Sequence, residues 1–161
     1  MLFKDLNNKS RLALVKKRKS MLGRLALYSD GGARGNPGPA AIAFLAVTGA
    51  GQIIKADSRF IGKATNNQAE YNALIAALEF ARVFKAQEVI CHLDSELVGK
   101  QLKGEYSVKN LELKKLWCKA RELNGCFRRI SFVNVPRSDP YISKADELVN
   151  RTLDEQERKL L

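Results

Sequence analysis

From Arg24 onward the chain alternates short apolar runs with polar, glycine-bearing breaks, and their spacing predicts a series of elements. Runs at 24–29, 39–47 and 52–61 have the length of strands. Thr48-Gly49-Ala50-Gly51, between the second and third, reads as a hairpin turn. The period then changes. Ala73, Leu74, Ala77, Leu78 and Ala81 recur at three- and four-residue spacing, the stripe of a helix that buries one side. Thr65 followed by Gln68 is the capping-box pattern that starts it. Val89 to Leu93 is a short continuous apolar run, as expected of a strand covered on both faces. Helices are predicted from Ser95 to Lys103 and from Leu111 to Leu123, the latter stopping at Asn124-Gly125. A last strand over Arg128–Val135 and a last helix over 143–160 complete the pattern. Three hairpin strands followed by alternating helix and strand give an α/β layer with a mixed sheet.

Residues 1–23 read differently. Leu2, Phe3, Leu6, Leu12, Leu14 and Val15 are irregularly spaced among bases, which predicts a helix with Lys16, Lys17, Arg18 and Lys19 on its polar side. Within residues 1–24, eight Lys or Arg face one acid, so this segment holds +7 of the chain's net +11. A basic N-terminal extension (1–23) therefore precedes a domain over 24–161. Such an arm suits a polyanion, nucleic acid foremost, or else a solvated or membrane-surface role. A chain of 161 residues with 45% hydrophobic content is long enough for one domain with its own core. No apolar run reaches the length of a bilayer span, and charges near the start break a signal-peptide pattern. Cys91, Cys118 and Cys126 lack paired spacing, which argues against a zinc site or a disulfide framework and for a reducing, cytoplasmic setting.

The stretch Tyr28-Ser29-Asp30-Gly31-Gly32-Ala33-Arg34-Gly35-Asn36-Pro37-Gly38-Pro39-Ala40 carries the first candidate chemistry. An acid ends an apolar run, and four glycines and two prolines then force a tight turn. A phosphate-cradling loop lacks its context here, because no Gly-Lys-Ser/Thr follows and the next element is a strand. Three more acids share the logic of Asp30. Glu70 lies on the inward stripe of its helix, Asp94 ends the apolar strand just before a helix, and Asp146 lies on the row 146-149-153 along the inward edge of the last helix. Each has a plain alternative: a turn-favoured acid for Asp30, a helix-dipole partner for Glu70, an N-cap for Asp94, and a capping-box partner of Ser143 for Asp146. Two acids on strand tips and two on inward helix starts nevertheless form a set. Clustered carboxylates need cations between them, and all-oxygen ligation favours Mg²⁺ or Mn²⁺ over zinc.

From about Arg24 to the C-terminus the chain resembles ribonuclease HI, the type 1 ribonuclease H family. The matching pieces, in order, are Tyr28 to Ala40, Thr65-Asn66-Asn67-Gln68-Ala69-Glu70-Tyr71, Leu93-Asp94-Ser95-Glu96, and Val135-Pro136-Arg137 with Lys144-Ala145-Asp146-Glu147-Leu148. The resemblance implies a ribonuclease H-like fold, a five-stranded mixed sheet with helices on both faces. It implies endonucleolytic, sequence-independent cleavage of the RNA strand of RNA/DNA hybrids with two Mg²⁺ ions, for which Mn²⁺ can substitute. Asp30, Glu70, Asp94 and Asp146 carry over as the catalytic, metal-binding carboxylates. Gly31, Gly32, Ala33, Arg34, Asn36, Asn66, Asn67 and Gln68 match positions at the hybrid's minor groove, where sugars and shape rather than bases are read. Thr65 and Ser95 resemble residues that hold a DNA-strand phosphate.

The chain also departs from the pattern. Many members have a His in the loop before the last acid. Here the single His92 falls inside a strand, as a packed core residue, and Arg137 occupies the matching loop and joins the catalytic set. Ile142 stands where many relatives have Asn. The region 95–123 is too short for the basic protrusion of some bacterial members, so the basic extension is the candidate grip on phosphates. Trp117, on the stripe 113-116-117-120, is expected in the core. A monomer is expected, and double-stranded RNA stays open as a second substrate. Two rival readings remain: a non-catalytic module binding hybrid or double-stranded RNA on the same scaffold, and a nuclease acting on DNA junctions.

Overall fold

The structure, a computed structural model, describes residues 7–161, without the side chains of 18–22. Leu2, Phe3 and Leu6, assigned above to the N-terminal helix, lie outside the described residues. The helix itself, α1, spans Asn8–Leu22, and the Asn7 side chain accepts the Ser10 amide at 2.8 Å at its start.

Three strands, Arg24–Ala33 (β1), Gly38–Thr48 (β2) and Ile53–Ala64 (β3), form an antiparallel meander. Glu88–Leu93 (β4) and Arg129–Asn134 (β5) join in parallel on the other side of β1, giving the order β3-β2-β1-β4-β5. The helices are Asn66–Val83 (α2), Glu96–Leu102 (α3), Leu111–Asn124 (α4) and Pro140–Lys159 (α5). Alternation along the strands sends Leu25, Leu27, Ile42 and Phe44 to one face of the sheet, where they pack on Leu74 and Leu78 of α2. Ala41 and Ala43 point the other way, onto Val149 and Leu153 of α5. The five-stranded mixed sheet with helices on both faces is the architecture expected from the sequence.

The predicted capping box is present: Thr65 Oγ1 accepts the Gln68 amide at 3.1 Å and Gln68 Oε1 accepts the Thr65 amide at 2.9 Å. The hairpin at 48–51 closes through the Thr48 amide on the Gln52 carbonyl at 2.9 Å, with Gly51 at φ +81°.

Several boundaries differ from expectation. β1 runs to Ala33 and β3 to Ala64, because the antiparallel ladder continues through the glycines. The last helix starts at Pro140 instead of 143. Asp139 caps it, Oδ1 accepting the Tyr141 and Ile142 amides at 2.9 and 3.1 Å, with proline at the first helical position where its missing donor is harmless. β4 is covered on one face only. The residues of α5 that pack on the sheet meet β1, β2 and β3, so Ile90, which points to that side, is 44% exposed. His92 is half-buried on the same side, stacked on Tyr28 at 4.3 Å, not enclosed in the core. Trp117 is also half-buried, its Nε1 donating to the Gln101 carbonyl at 3.2 Å.

Candidate active site

β1 and β4 stay paired as far as Tyr28 and His92. Asp30 and Asp94 each stand two residues further on, just past the carboxyl end of the parallel pairing, where α/β sheets gather ligands. Asp30 is therefore not at the tip of β1, as the sequence suggested. It remains paired with Ala43 of β2 and lies where β1 parts from β4. Glu70 comes from the second turn of α2. It reaches the other two because α2 lies against the backbone of β1: a β-carbon on Gly31 would overlap the Ala69 carbonyl. Only glycine permits that approach.

One oxygen from each of Asp30, Glu70 and Asp94 lies within 4.8 Å of the other two. Asp30 Oδ1, Glu70 Oε2 and Asp94 Oδ1 are buried and have no hydrogen-bond partner among the described residues. Unpartnered buried carboxylate oxygens are expensive, and three such carboxylates gathered this closely are more so. Burial, and next the nearby Asp94 charge, push the Asp30 carboxyl up to about 7. Burial, followed by the charge of Asp30, raises Glu70 well above the carboxylate range. Asp30 and Glu70 share a hydrogen bond and the Gly31 amide donates to Glu70, an arrangement in which two ionised carboxylates are disfavoured until a cation balances them. Hard, oxygen-only donors at this spacing fit a divalent cation such as Mg²⁺ or Mn²⁺.

Asp146 stands outside this triad. It lines the same cavity, of about 450 Å³, as Asp30 and Glu70. Arg137 links it to the rest: Nε lies 3.3 Å from Asp94 Oδ2 and Nη2 lies 3.9 Å from Asp146 Oδ1.

The plain alternatives for these acids do not hold in the structure. Ser95, not Asp94, caps α3, its Oγ accepting the Val98 amide at 3.3 Å. Asp139 caps α5, so Asp146 has no capping role, and Ser143 Oγ donates instead to the Arg137 carbonyl at 2.9 Å. Glu70 is beyond the first turn, where a dipole effect has largely faded.

The glycine-rich turn is tied on two flanks. Asn66 Oδ1 accepts the Ala33 amide at 2.9 Å, and Asn36 Oδ1 accepts the Asn66 amide at 3.1 Å, joining the turn to the start of α2. On the other flank Arg34 turns its guanidinium onto α5, with Asp154 and Glu157 each at 2.7 Å. Gly32 and Ala33 line the cavity with Arg34 and Asn66. Thr65 and Gln68 are engaged in their capping box, and Asn67 and Ser95 are half-buried. Asn134 escaped the sequence reading. Its Nδ2 donates to the Ser95 carbonyl at 2.9 Å and the Leu93 carbonyl at 3.4 Å, which pins the segment carrying Asp94. An Asn at a strand end gives no signal of that duty.

The reverse transcriptase-like family model matches residues 28–152, which spans all four acids. Ribonuclease HI of Halobacterium salinarum is 45% identical over 133 residues, covering 83% of this chain and 66% of that protein. The crystal structure of RNase H1 from H. salinarum superposes with a TM-score of 0.79, over 82% of this chain and 98% of that one. The chain belongs to the ribonuclease HI family. Two further structures agree with this membership. The N-terminal RNase H domain of a Mycobacterium tuberculosis protein is 37% identical, with a TM-score of 0.81 over 86% of this ribonuclease HI-family chain and 99% of that one. LC11-RNase H1, solved in complex with an RNA/DNA hybrid, is 39% identical, with a TM-score of 0.77 over 82% and 98%. The chain spans 66% of the length of the full H. salinarum protein and 36% of the matching mycobacterial proteins.

Proposed function

We propose that this chain is a metal-dependent endoribonuclease that hydrolyses the RNA strand of RNA/DNA hybrids without sequence preference. One observation carries the reading: three carboxylates from β1, α2 and the end of β4 converge within 4.8 Å, and each has a buried oxygen with no hydrogen-bond partner among the described residues. Kinship with proteins named ribonuclease HI, one of them solved with a hybrid, supplies the substrate class.

Asp30, Glu70 and Asp94, with Asp146 beside them, would hold two Mg²⁺, or Mn²⁺ in their place. Divalent cations held there supply charge stabilisation at the scissile phosphate and lower the pKa of an attacking water. Asp30 and Glu70, whose carboxyls burial pushes up, would be held ionised by cations bound there. Gly31, Gly32 and Ala33, with Asn36, Asn66, Asn67 and Gln68, line the path of the hybrid's minor groove, where 2′-hydroxyls and groove shape distinguish RNA from DNA. Thr65 and Ser95 face a DNA-strand phosphate. Arg34 acts here through α5, since its guanidinium is engaged by Asp154 and Glu157.

The domain over 24–161 carries this chemistry, and the basic extension over 1–23 adds phosphate contacts. Lys9, Lys16 and Lys17 of α1 are exposed, which supports that role. Three free cysteines support a reducing, cytoplasmic setting. The test is a cleavage panel on end-labelled hybrid, double-stranded RNA and duplex DNA, with Mg²⁺ or with EDTA. Metal-dependent cutting of the RNA strand of the hybrid is expected. Hybrid binding without cutting would make the chain a binding module, and cutting of all-DNA substrate would make it a DNA nuclease.

A further inference from the structure

We propose that Arg137 is a built-in counter-cation of the acidic cluster, so that a divalent ion enters the Asp94–Asp146 side only by displacing its guanidinium. This rests on the metal-site reading above and adds an asymmetry to it. The oxygens of the cluster fall into two groups. Asp30 Oδ1, Glu70 Oε2 and Asp94 Oδ1 are buried without a hydrogen-bond partner among the described residues, in a triad whose carboxylates gather within 4.8 Å. Asp94 Oδ2 and Asp146 Oδ1 instead face Arg137, at 3.3 and 3.9 Å. Asp94 thus belongs to both groups, with one oxygen open and the other met by a cation. The inner half is ready for an ion; the outer half already has positive charge.

Arg137 is suited to such an exchange. A guanidinium does not deprotonate near neutral pH, so it leaves by moving and not by titrating. The side chain is 70% exposed and sits in the loop between β5 and α5, so swinging outward disrupts no core packing. Its Nε and Nη2 reach two acids from different elements, a span that a single ammonium cannot reproduce. Coupling between the guanidinium and an ion on the same oxygens is reciprocal: whatever Arg137 takes from the ion's affinity, the ion takes from the order of Arg137.

Two readouts that do not depend on turnover test this. Metal-stripped wild type, Arg137→Ala and Arg137→Lys are titrated with Mn²⁺ by calorimetry, and the Arg137 Nε–H resonance of ¹⁵N-labelled wild type is followed during a Mg²⁺ titration. Two binding steps are expected in the wild type. Arg137→Ala leaves the tighter step within about twofold and strengthens the weaker one by about tenfold, while Arg137→Lys falls between. The Nε–H resonance moves with the weaker step and not the tighter one. Equal strengthening of both steps, an unchanged weaker step, or an Nε–H resonance indifferent to saturation would overturn the proposal while leaving the metal site standing. Failure of the wild type to bind either ion would remove the metal site along with it.

Discussion

Replacing Asp30 by Asn should stabilise the metal-free protein while abolishing cleavage, because the ionised carboxylate is held where the fold disfavours it. Its carboxyl titrates at about 7 instead of the ordinary 3.8, chiefly through burial and then the charge of Asp94. At 1.36 kcal/mol per unit that difference is on the order of 4 kcal/mol, and allowing for an imperfect amide contact to Glu70 leaves about 2–4 kcal/mol. The sign follows from the folded-state value lying above the unfolded one. The Asp30 contribution is therefore free of penalty below about pH 4, costs stability as pH climbs towards 7, and bears the whole penalty above that. Asn carries no such charge, so the gain is near zero in acid and largest in alkali. Urea unfolding in EDTA at about pH 4 and about pH 8 measures it as a shift in midpoint at constant slope. Saturating Mg²⁺ should narrow the gap, since the ion stabilises only the protein that binds it. A variant less stable than wild type at the alkaline pH, or a gain independent of pH, would refute the reasoning.

Other changes test separate parts of the structure. Gly31→Ala pushes a methyl into the Ala69 carbonyl, which should lower stability by about 2 kcal/mol or more and reduce metal affinity by moving Glu70 away; thermal melts and calorimetry check the two effects. Tyr71→Phe removes the buried donor that meets Gln101 Oε1 at 2.6 Å, and denaturant melts should show a loss of about 1–2 kcal/mol with cleavage retained. Deleting residues 1–22 should weaken hybrid binding and flatten its dependence on salt, measured as the slope of log affinity against log salt; an unchanged slope would remove the basic extension from the interface.

The strands and helices were legible wherever pattern and local chemistry agreed. The stripe from Ala73 to Ala81 with Thr65 and Gln68 at its head specified α2 in the sequence, and the structure closes both capping hydrogen bonds. The sequence pattern puts the start of α5 at Ser143, whereas Asp139-Pro140 holds the stronger start signal and caps the helix. The one-sided cover of β4 could not be read from Val89 to Leu93 alone, since an apolar run does not say how far a distant helix extends across the sheet. At the site, the four acids announced themselves by closing apolar runs and by falling on inward helix faces, although β1 continues past Asp30 to Ala33. Their division into a close triad and an outlying Asp146, and the bridging by Arg137, depend on contacts across separate elements. Arg34 shows the same limit: its place in the motif suggested the substrate, but its charge is met by Asp154 and Glu157, more than a hundred residues away in the chain.

The metal centre itself is tested most directly by anomalous scattering from crystals soaked in Mn²⁺. Strong anomalous peaks bonded to carboxylate oxygens of Asp30, Glu70 and Asp94, with a second peak reaching Asp146, are the expected result. A fully soaked crystal with no anomalous density among these side chains would contradict a divalent-metal site built from them.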